Sequence, residues 1–166
     1  MPLGVREYHL NYKYRTNLGW YGFSAGFFAD GLSDDLYTNR PVDPLDPNTK
    51  YNVKKENTND SYKYGVMASV NGGGYFCRKS DWFYQVFAGP GLSIETKLQP
   101  RLLIGGGFGC GGTNKFSING GVAIGQVQRL SSAINLSAEY SVQQTNLYYT
   151  TNAIKPFVSV NYVFGL

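Results

Sequence analysis

Large apolar residues recur at every second position along most of this 166-residue chain. Alternation with a period of two is typical of β-strands with one apolar face, because successive side chains point to opposite sides of a strand. No uninterrupted apolar run approaches the roughly 18 residues that a membrane-spanning helix needs. The chain is rich in glycine, with 21 residues, and glycine disfavours a helical bundle. The pattern therefore predicts an all-β fold.

We predict one domain over residues 1–166, an antiparallel up-and-down β-barrel of about eight strands. The predicted strands are 5–15, 19–30, 61–77, 81–96, 100–111, 115–128, 131–144 and 154–165. Residues 31–60 interrupt the alternation with three prolines and are predicted to form a long loop. A second, shorter loop is expected from Asn146 to Ala153.

The two faces of the predicted strands differ in chemistry. In 81–96, the even-numbered positions from Trp82 to Ile94 are mostly large and apolar, whereas the odd-numbered ones include Gln85, Gly89 and Ser93. Charged residues make up only 16% of the chain, against about 25% in average soluble domains, so neither face suits a water-exposed exterior. The pattern favours a transmembrane barrel with its apolar face in lipid and Gly, Ser and Asn inside.

A glycine repeat on the predicted strand 100–111 agrees with this orientation. Gly105, Gly107 and Gly109 fall on the inner face, where the lumen of an eight-stranded barrel is barely wide enough for side chains. Small residues are therefore expected at these positions.

The last strand carries the most specific part of the pattern. Its outward positions are Val158, Val160, Tyr162, Phe164 and Leu166. This run is similar to the terminal signal that the outer-membrane assembly machinery reads, although that signal usually ends in an aromatic residue and this one ends in Leu166. Over its whole length, as a pattern, the chain resembles the small outer-membrane β-barrels, the OmpA- and OmpX-like group.

The resemblance implies a location in a Gram-negative-type cell outer membrane, in contact with its lipid. It also implies a structural or anchoring role, or a role as an assembly subunit, with contacts to other envelope proteins through the 31–60 loop. The first ten residues lack the apolar core of a signal peptide. An exported chain would then be a mature form behind an added Met1, or a domain of a longer precursor.

Charged residues on the predicted inner face form a second candidate site. They are Lys13, Arg15, Lys63, Glu95 and Glu139. Because charges in so narrow a lumen must be paired, we expect a buried ion-pair network that fills the barrel, rather than an ion-conducting or catalytic interior. The net charge is only +4, and the basic residues are scattered instead of forming a stripe, so nucleic-acid binding is not expected.

No enzymatic activity, cofactor or metal site is predicted from the remaining motifs. Gly107-x-Gly109-x-x-Gly112 matches the dinucleotide-binding string but leads into a strand instead of the helix that the motif requires. His9, the one histidine, is expected to be an ordinary inward polar residue because no nucleophile or orienting acid is placed beside it.

The 31–60 loop and the cysteines each raise a further question. The acidic residues of the loop, Asp34, Asp35, Asp43 and Asp46, lack the spacing of a calcium loop, and we expect a solvated acidic loop. Side chains alternate between the two faces along each strand, and this alternation puts Cys77 and Cys110 on opposite faces. A disulfide between them would therefore need a bulge or a change of register.

Two alternatives remain open at this stage. The chain could be a soluble barrel that encloses an apolar small molecule, as lipocalins do, or a barrel domain of a larger surface or secretion machinery protein. In addition, eight strands with both termini in the periplasm would put the 31–60 loop on the periplasmic side, where turns are short. A further strand upstream, a different pairing, or a periplasmic partner for this loop would each account for that.

Overall fold

The computed structural model of the protein describes residues 19–46, 49–56, 62–77, 80–94, 98–112 and 114–165. All regular elements in these residues are antiparallel strands. They are β1 (Gly19–Asp30), β2 (Tyr37–Pro41), β3 (Tyr51–Lys55), β4 (Lys63–Tyr75), β5 (Trp82–Ile94), β6 (Leu98–Cys110), β7 (Lys115–Leu130), β8 (Glu139–Tyr140) and β9 (Tyr148–Gly165). No helix with the length and apolarity to span a membrane occurs in the described ranges.

Six of these strands form a closed ring in the order β1-β4-β5-β6-β7-β9, which β9 completes by pairing with β1. The described residues thus form a six-stranded barrel, not the eight-stranded one predicted. The predicted strand 5–15 lies outside the described residues. The predicted strand 131–144 is wrong, because that segment contains only the two-residue β8, which pairs with β3 outside the barrel.

The strand register fixes the width of the barrel. Following paired residues around the ring from Gly22 leads through Asn71, Phe87, Gly105, Gly121 and Phe157 back to β1 at Asp30, a stagger of eight residues. Eight residues correspond to about 26 Å along the strand direction, and six strand-to-strand spacings correspond to about 29 Å across it. The strands therefore tilt by about 42° and enclose a barrel about 12 Å across between backbones, which leaves room only for side chains.

The connections divide by length between the two ends of the barrel. One end, here called the turn end, holds Gly19 and Gly165, the end of β4 with the start of β5, and the end of β6 with the start of β7. The opposite loop end holds the end of β5 and the start of β6, together with the described residues of the connections that follow β1 and β7. In the described residues one barrel strand, not two, precedes the long loop, so this loop lies opposite Gly19 and Gly165. The described strands therefore pair differently from the prediction, and this pairing puts the loop at the opposite end.

The long connections at the loop end fold into a small sheet of their own. Strands β2, β3 and β8 pair in that order, and Tyr37, Val53 and Leu147 form its buried cluster. We call this the loop-side sheet. The loop predicted at 146–153 is also largely wrong, because β9 begins at Tyr148, where two tyrosines and two threonines in succession favour a strand.

Candidate functional site: the outer face and interior of the barrel

The outward side of the barrel is apolar. At mid-height, Val70, Val86, Ile118 and Val160 are each more than half exposed. The charged residues of the described barrel strands are either buried or lie near the loop end: Asp30, Lys63, Arg101, Lys115, Arg129 and Lys155. In the described strands, no charge therefore lies on the outer face between the two ends.

Aromatic side chains cluster on the outer face at the turn end. Phe76 lies 5.6 Å from Tyr84 and 6.1 Å from Phe108, measured between ring centroids. Farther around the barrel, the Tyr162 ring lies 5.2 Å from Phe116 and 4.7 Å from Phe164. Exposed Trp82 and Tyr21 lie at the same end. The turn end thus carries a partial belt of outward aromatic rings.

The predicted terminal signal lies on this outer face. Val158, Val160 and Phe164 are exposed, and Tyr162 is partly exposed, with its hydroxyl donating to Asn114 Oδ1 at 2.8 Å. Leu166 lies outside the described residues. The outward orientation that alternation along the strand predicts is confirmed for Val158, Val160, Tyr162 and Phe164, whereas the role of the run as an assembly signal stays a prediction.

Side chains fill the interior at three successive levels. Near the loop end, Phe28, Met67, Phe87, Leu103 and Phe157 belong to one buried apolar cluster. Near the turn end, a second cluster contains the residues Trp20, Tyr75, Phe83 and Val163. Between the clusters lies a layer of small polar residues, namely Ser24, Ser69, Asn71, Gln85, Ser117, Asn119, Ser159 and Asn161. The described barrel is therefore packed rather than hollow.

Hydrogen bonds satisfy much of the polar layer internally. The Ser24 and Ser69 hydroxyls are 2.7 Å apart. Gln85 Nε2 donates to Ser117 Oγ at 2.8 Å and to Asn119 Oδ1 at 2.6 Å. These contacts join inward side chains of separate strands, which is how buried polar groups avoid the cost of lost hydration.

Of the five residues of the predicted charge network inside the barrel, the structure describes two, Lys63 and Glu139. Lys13, Arg15 and Glu95 lie outside the described residues. Lys63 is half-buried at the first residue of β4, at the loop end. The placement of Glu139 in the lumen is wrong, because it lies on β8 in the loop-side sheet and pairs with Lys50 at 3.1 Å on an exposed surface.

A different ion pair lies inside the barrel. Arg101 Nε is 3.5 Å from Asp30 Oδ2, and both side chains are at most 1% exposed. Arg101 Nη1 also donates to the Gln126 carbonyl at 3.2 Å, and Asp30 Oδ1 accepts the Leu32 N–H at 2.7 Å. Parity could have placed Arg101 on the inner face with Leu103, but its partner Asp30 ends a strand distant in sequence.

The third buried charge is Lys115 at the turn end. Its Nζ lies 4.7 Å from the centroid of Trp20 and 5.8 Å from that of Tyr75. Aromatic faces stabilise a desolvated ammonium group in this geometry. An ion pair and cation–π contacts thus stabilise the three buried charges that the structure describes inside the barrel.

The aspartates after β1 attach the loop to the barrel. Asp34 accepts hydrogen bonds from Gln99 Nε2 at 2.8 Å and from the Gln128 N–H at 2.7 Å. Asp35 pairs with Lys55 and Arg129, at 3.0 Å each. Burial raises the pKa of Asp35, but its hydrogen bonds and ion pairs with these two cations outweigh burial, so the pKa is lowered.

The expectation of a solvated acidic loop is therefore wrong for Asp34 and Asp35, and it holds for the exposed Asp43 and Asp46. No group of three or more candidate metal ligands occurs in the part of the chain that the structure describes. Cys77 and Cys110 are both free and exposed.

Comparisons with protein-family models, with curated proteins and with solved structures give no significant match to this chain. The relevant features are the apolar outer face, the packed interior and the loop-side sheet.

Proposed function

We propose that the chain is a β-barrel embedded in a Gram-negative-type outer membrane, where it acts as a structural anchor or assembly subunit and not as an enzyme. One observation carries the proposal: the outer face of the described barrel strands is apolar and without charge between its two ends, whereas a layer of polar side chains and the buried charges of Asp30, Arg101 and Lys115 lie inside. Lipid favours this arrangement, since it solvates apolar side chains and not charges.

The height of the apolar face supports this location. On β5, outward residues from Trp82 to Ile94 are apolar. Twelve residue steps tilted by about 42° span roughly 30 Å, which covers the apolar band of about 25 Å in membrane barrels. The aromatic belt at the turn end lies where such barrels carry their interfacial rings.

The same observation disfavours the lipocalin-like alternative. That alternative requires large apolar residues around an internal ligand cavity and a hydrated exterior. Here the interior levels are occupied by side chains such as Phe83, Gln85 and Phe87, while Val86 and Ile118 point outward. Six strands are fewer than the eight of the smallest bacterial outer-membrane barrels. The proposal therefore rests on the outer face and not on the strand count.

The two ends of the barrel suggest an orientation. Outer-membrane barrels have short periplasmic turns and longer external loops. By this rule the turn end faces the periplasm and the loop-side sheet faces outward. In this proposal the loop-side sheet makes the contacts with envelope or surface partners, which is also compatible with a barrel domain of a larger surface protein.

Tryptophan quenching tests the proposal, because the chain contains two tryptophans in opposite settings. Trp82 is 59% exposed on the outer face, whereas Trp20 is 9% exposed inside the barrel. Vesicles that contain brominated phosphatidylcholine should quench the Trp20→Phe variant, which emits from Trp82, more strongly than the Trp82→Phe variant.

The controls for this experiment are the same variants in vesicles without bromine, and a gel in which folded membrane barrels migrate differently before and after heating. A chain that stays monodisperse without detergent, with neither variant quenched, would exclude the membrane location. Stronger quenching of Trp20 than of Trp82 would contradict the assigned outer face.

A further inference from the structure

A cleft of about 570 Å³ opens at the loop end, above the end of β1. Strand β1 ends at Asp30, which pairs with Phe157 of β9. The preceding β9 residues, Lys155 and Pro156, therefore extend past β1 and line the cleft together with Gly31, whose N–H donates to the Pro156 carbonyl at 3.2 Å, and with Tyr62. The cleft is large enough for a small polar group with several oxygens.

Positive charge dominates the lining of this cleft. Lys55, Arg129 and Lys155 line it together with a single acid, Asp35, which gives a net charge of +2. The carboxylate of Asp35 holds Lys55 and Arg129 side by side at 3.0 Å each. Within the described residues Lys155 has no acidic partner.

We propose that this cleft binds a phosphate group. A phosphate monoester carries a charge of about −1.5 to −2 at neutral pH, which balances the net charge of the lining. Guanidinium and ammonium groups are the side chains that bind phosphate oxygens best. Tyr62 also lines the cleft, and a tyrosine hydroxyl can donate a hydrogen bond to a phosphate oxygen.

The apolar outer face lies directly beside the cleft. Val158, two residues beyond Pro156 on β9, is 59% exposed, and Tyr64, two residues beyond Tyr62, is 69% exposed. A phosphate bound in the cleft could therefore belong to a lipid whose acyl chains lie along the outer face. This lipid source rests on the proposed membrane location, whereas a free phosphate would meet the same cations without it.

Calorimetric titration of the folded full chain tests the site. The protein is held in maltoside micelles, which contain no phosphate, and is titrated with dioctanoyl phosphatidic acid, dioctanoyl phosphatidylcholine or inorganic phosphate. We expect saturable binding of the phosphatidic acid and a loss of about tenfold in affinity in Lys155→Ala, the usual effect of removing one charged hydrogen-bond partner. Lys54→Ala is the matched control, because Lys54 is exposed on β3 beside Lys55 but does not line the cleft.

The arms of the titration separate the sources of phosphate. Binding of phosphatidic acid alone assigns a lipid headgroup, and comparable binding of inorganic phosphate assigns a free phosphate; both support a phosphate site. The proposal is overturned if neither binds, if phosphatidylcholine binds as well as phosphatidic acid, or if Lys54→Ala weakens binding as much as Lys155→Ala. If the chain is monodisperse in buffer, the inorganic phosphate titration is run without micelles, so that failure of the membrane proposal is distinguished from failure of this site.

Discussion

Val160 lies midway between Pro156 and Phe164 on the outward side of β9 and is 56% exposed. Its partners on the neighbouring strands, Phe27 and Ile118, are 73% and 69% exposed. The substitution Val160→Arg therefore places a guanidinium group at the centre of the apolar face. In a bilayer this position costs about 2–4 kcal/mol of unfolding free energy, whereas a surface substitution in water changes it by about 0.5 kcal/mol at most.

Val142→Arg is the matched control for this change. Val142 is 69% exposed in the connection between β8 and β9, outside the barrel, so the same substitution there should have little effect. Urea unfolding in phosphatidylcholine vesicles, followed by tryptophan emission, gives both free energies relative to the unsubstituted chain. If the changes in unfolding free energy caused by Val160→Arg and Val142→Arg differ by less than about 0.5 kcal/mol, the outer face does not contact lipid, and the proposed membrane location is refuted.

Three further predictions concern the interior and the loop end. Arg101→Met removes the guanidinium group that neutralises the buried Asp30 carboxylate and should lower the unfolding free energy by about 3–5 kcal/mol, and adding Asp30→Asn should recover more than half of this in a double-mutant cycle. Gly107→Ala should destabilise the barrel by about 1–3 kcal/mol in urea unfolding, because the new Cβ overlaps the carbonyl oxygen of the adjacent strand, whereas Gly72→Ala, with open space around it, should have little effect. The lowered pKa of Asp35 means that its ionised form stabilises the fold above pH 3.8, its ordinary pKa, and that this contribution is lost as the pH falls further, through the lowered value. Hydrogen exchange of the β3 amides should show this loss relative to Asp35→Asn; an identical pH dependence in both proteins would contradict it.

The alternation of odd- and even-numbered residues is sufficient to predict which side chains of the barrel strands point inward and which point outward. On β5 it separated the outward Trp82 and Val86 from the inward Gln85, and the exposures agree. The same rule holds on β9, where Val158 points outward and Ser159 is buried. This prediction succeeds because the side-chain period of a strand is a local property that does not depend on which strands pair.

Parity could not decide whether an extended segment joins the barrel. Residues 131–144 alternate as a strand would, yet the Asn135 side chain accepts the Ser137 N–H at 2.9 Å, and the Asn135 N–H donates to the Tyr140 hydroxyl at 2.8 Å. Such local bonds compete with pairing in a sheet. Meanwhile β7 pairs with β9 as far as Leu130 and Tyr148, which leaves 131–147 outside the ring.

The interior ion pair could not be predicted because it depends on the stagger of the strands. Asp30 ends β1 and Arg101 lies near the start of β6, with β4 and β5 between them in the ring. The eight-residue stagger and the narrow width bring the two side chains together across the lumen. Neither quantity can be read from the alternation of residues.

The abundance of glycine has its explanation in the same narrow width. Inward residues in the first half of β5 are large and pair with glycines on β6: Phe83 with Gly109, Gln85 with Gly107 and Phe87 with Gly105. In the second half the sizes are reversed, and inward Gly89 pairs with Leu103 and Gly91 with Arg101. A Cβ at Gly109 would overlap the Phe83 ring. Each row therefore has room for one large side chain and not for two. Packing of this kind leaves little space for a conducting pore or an enclosed ligand in the described barrel.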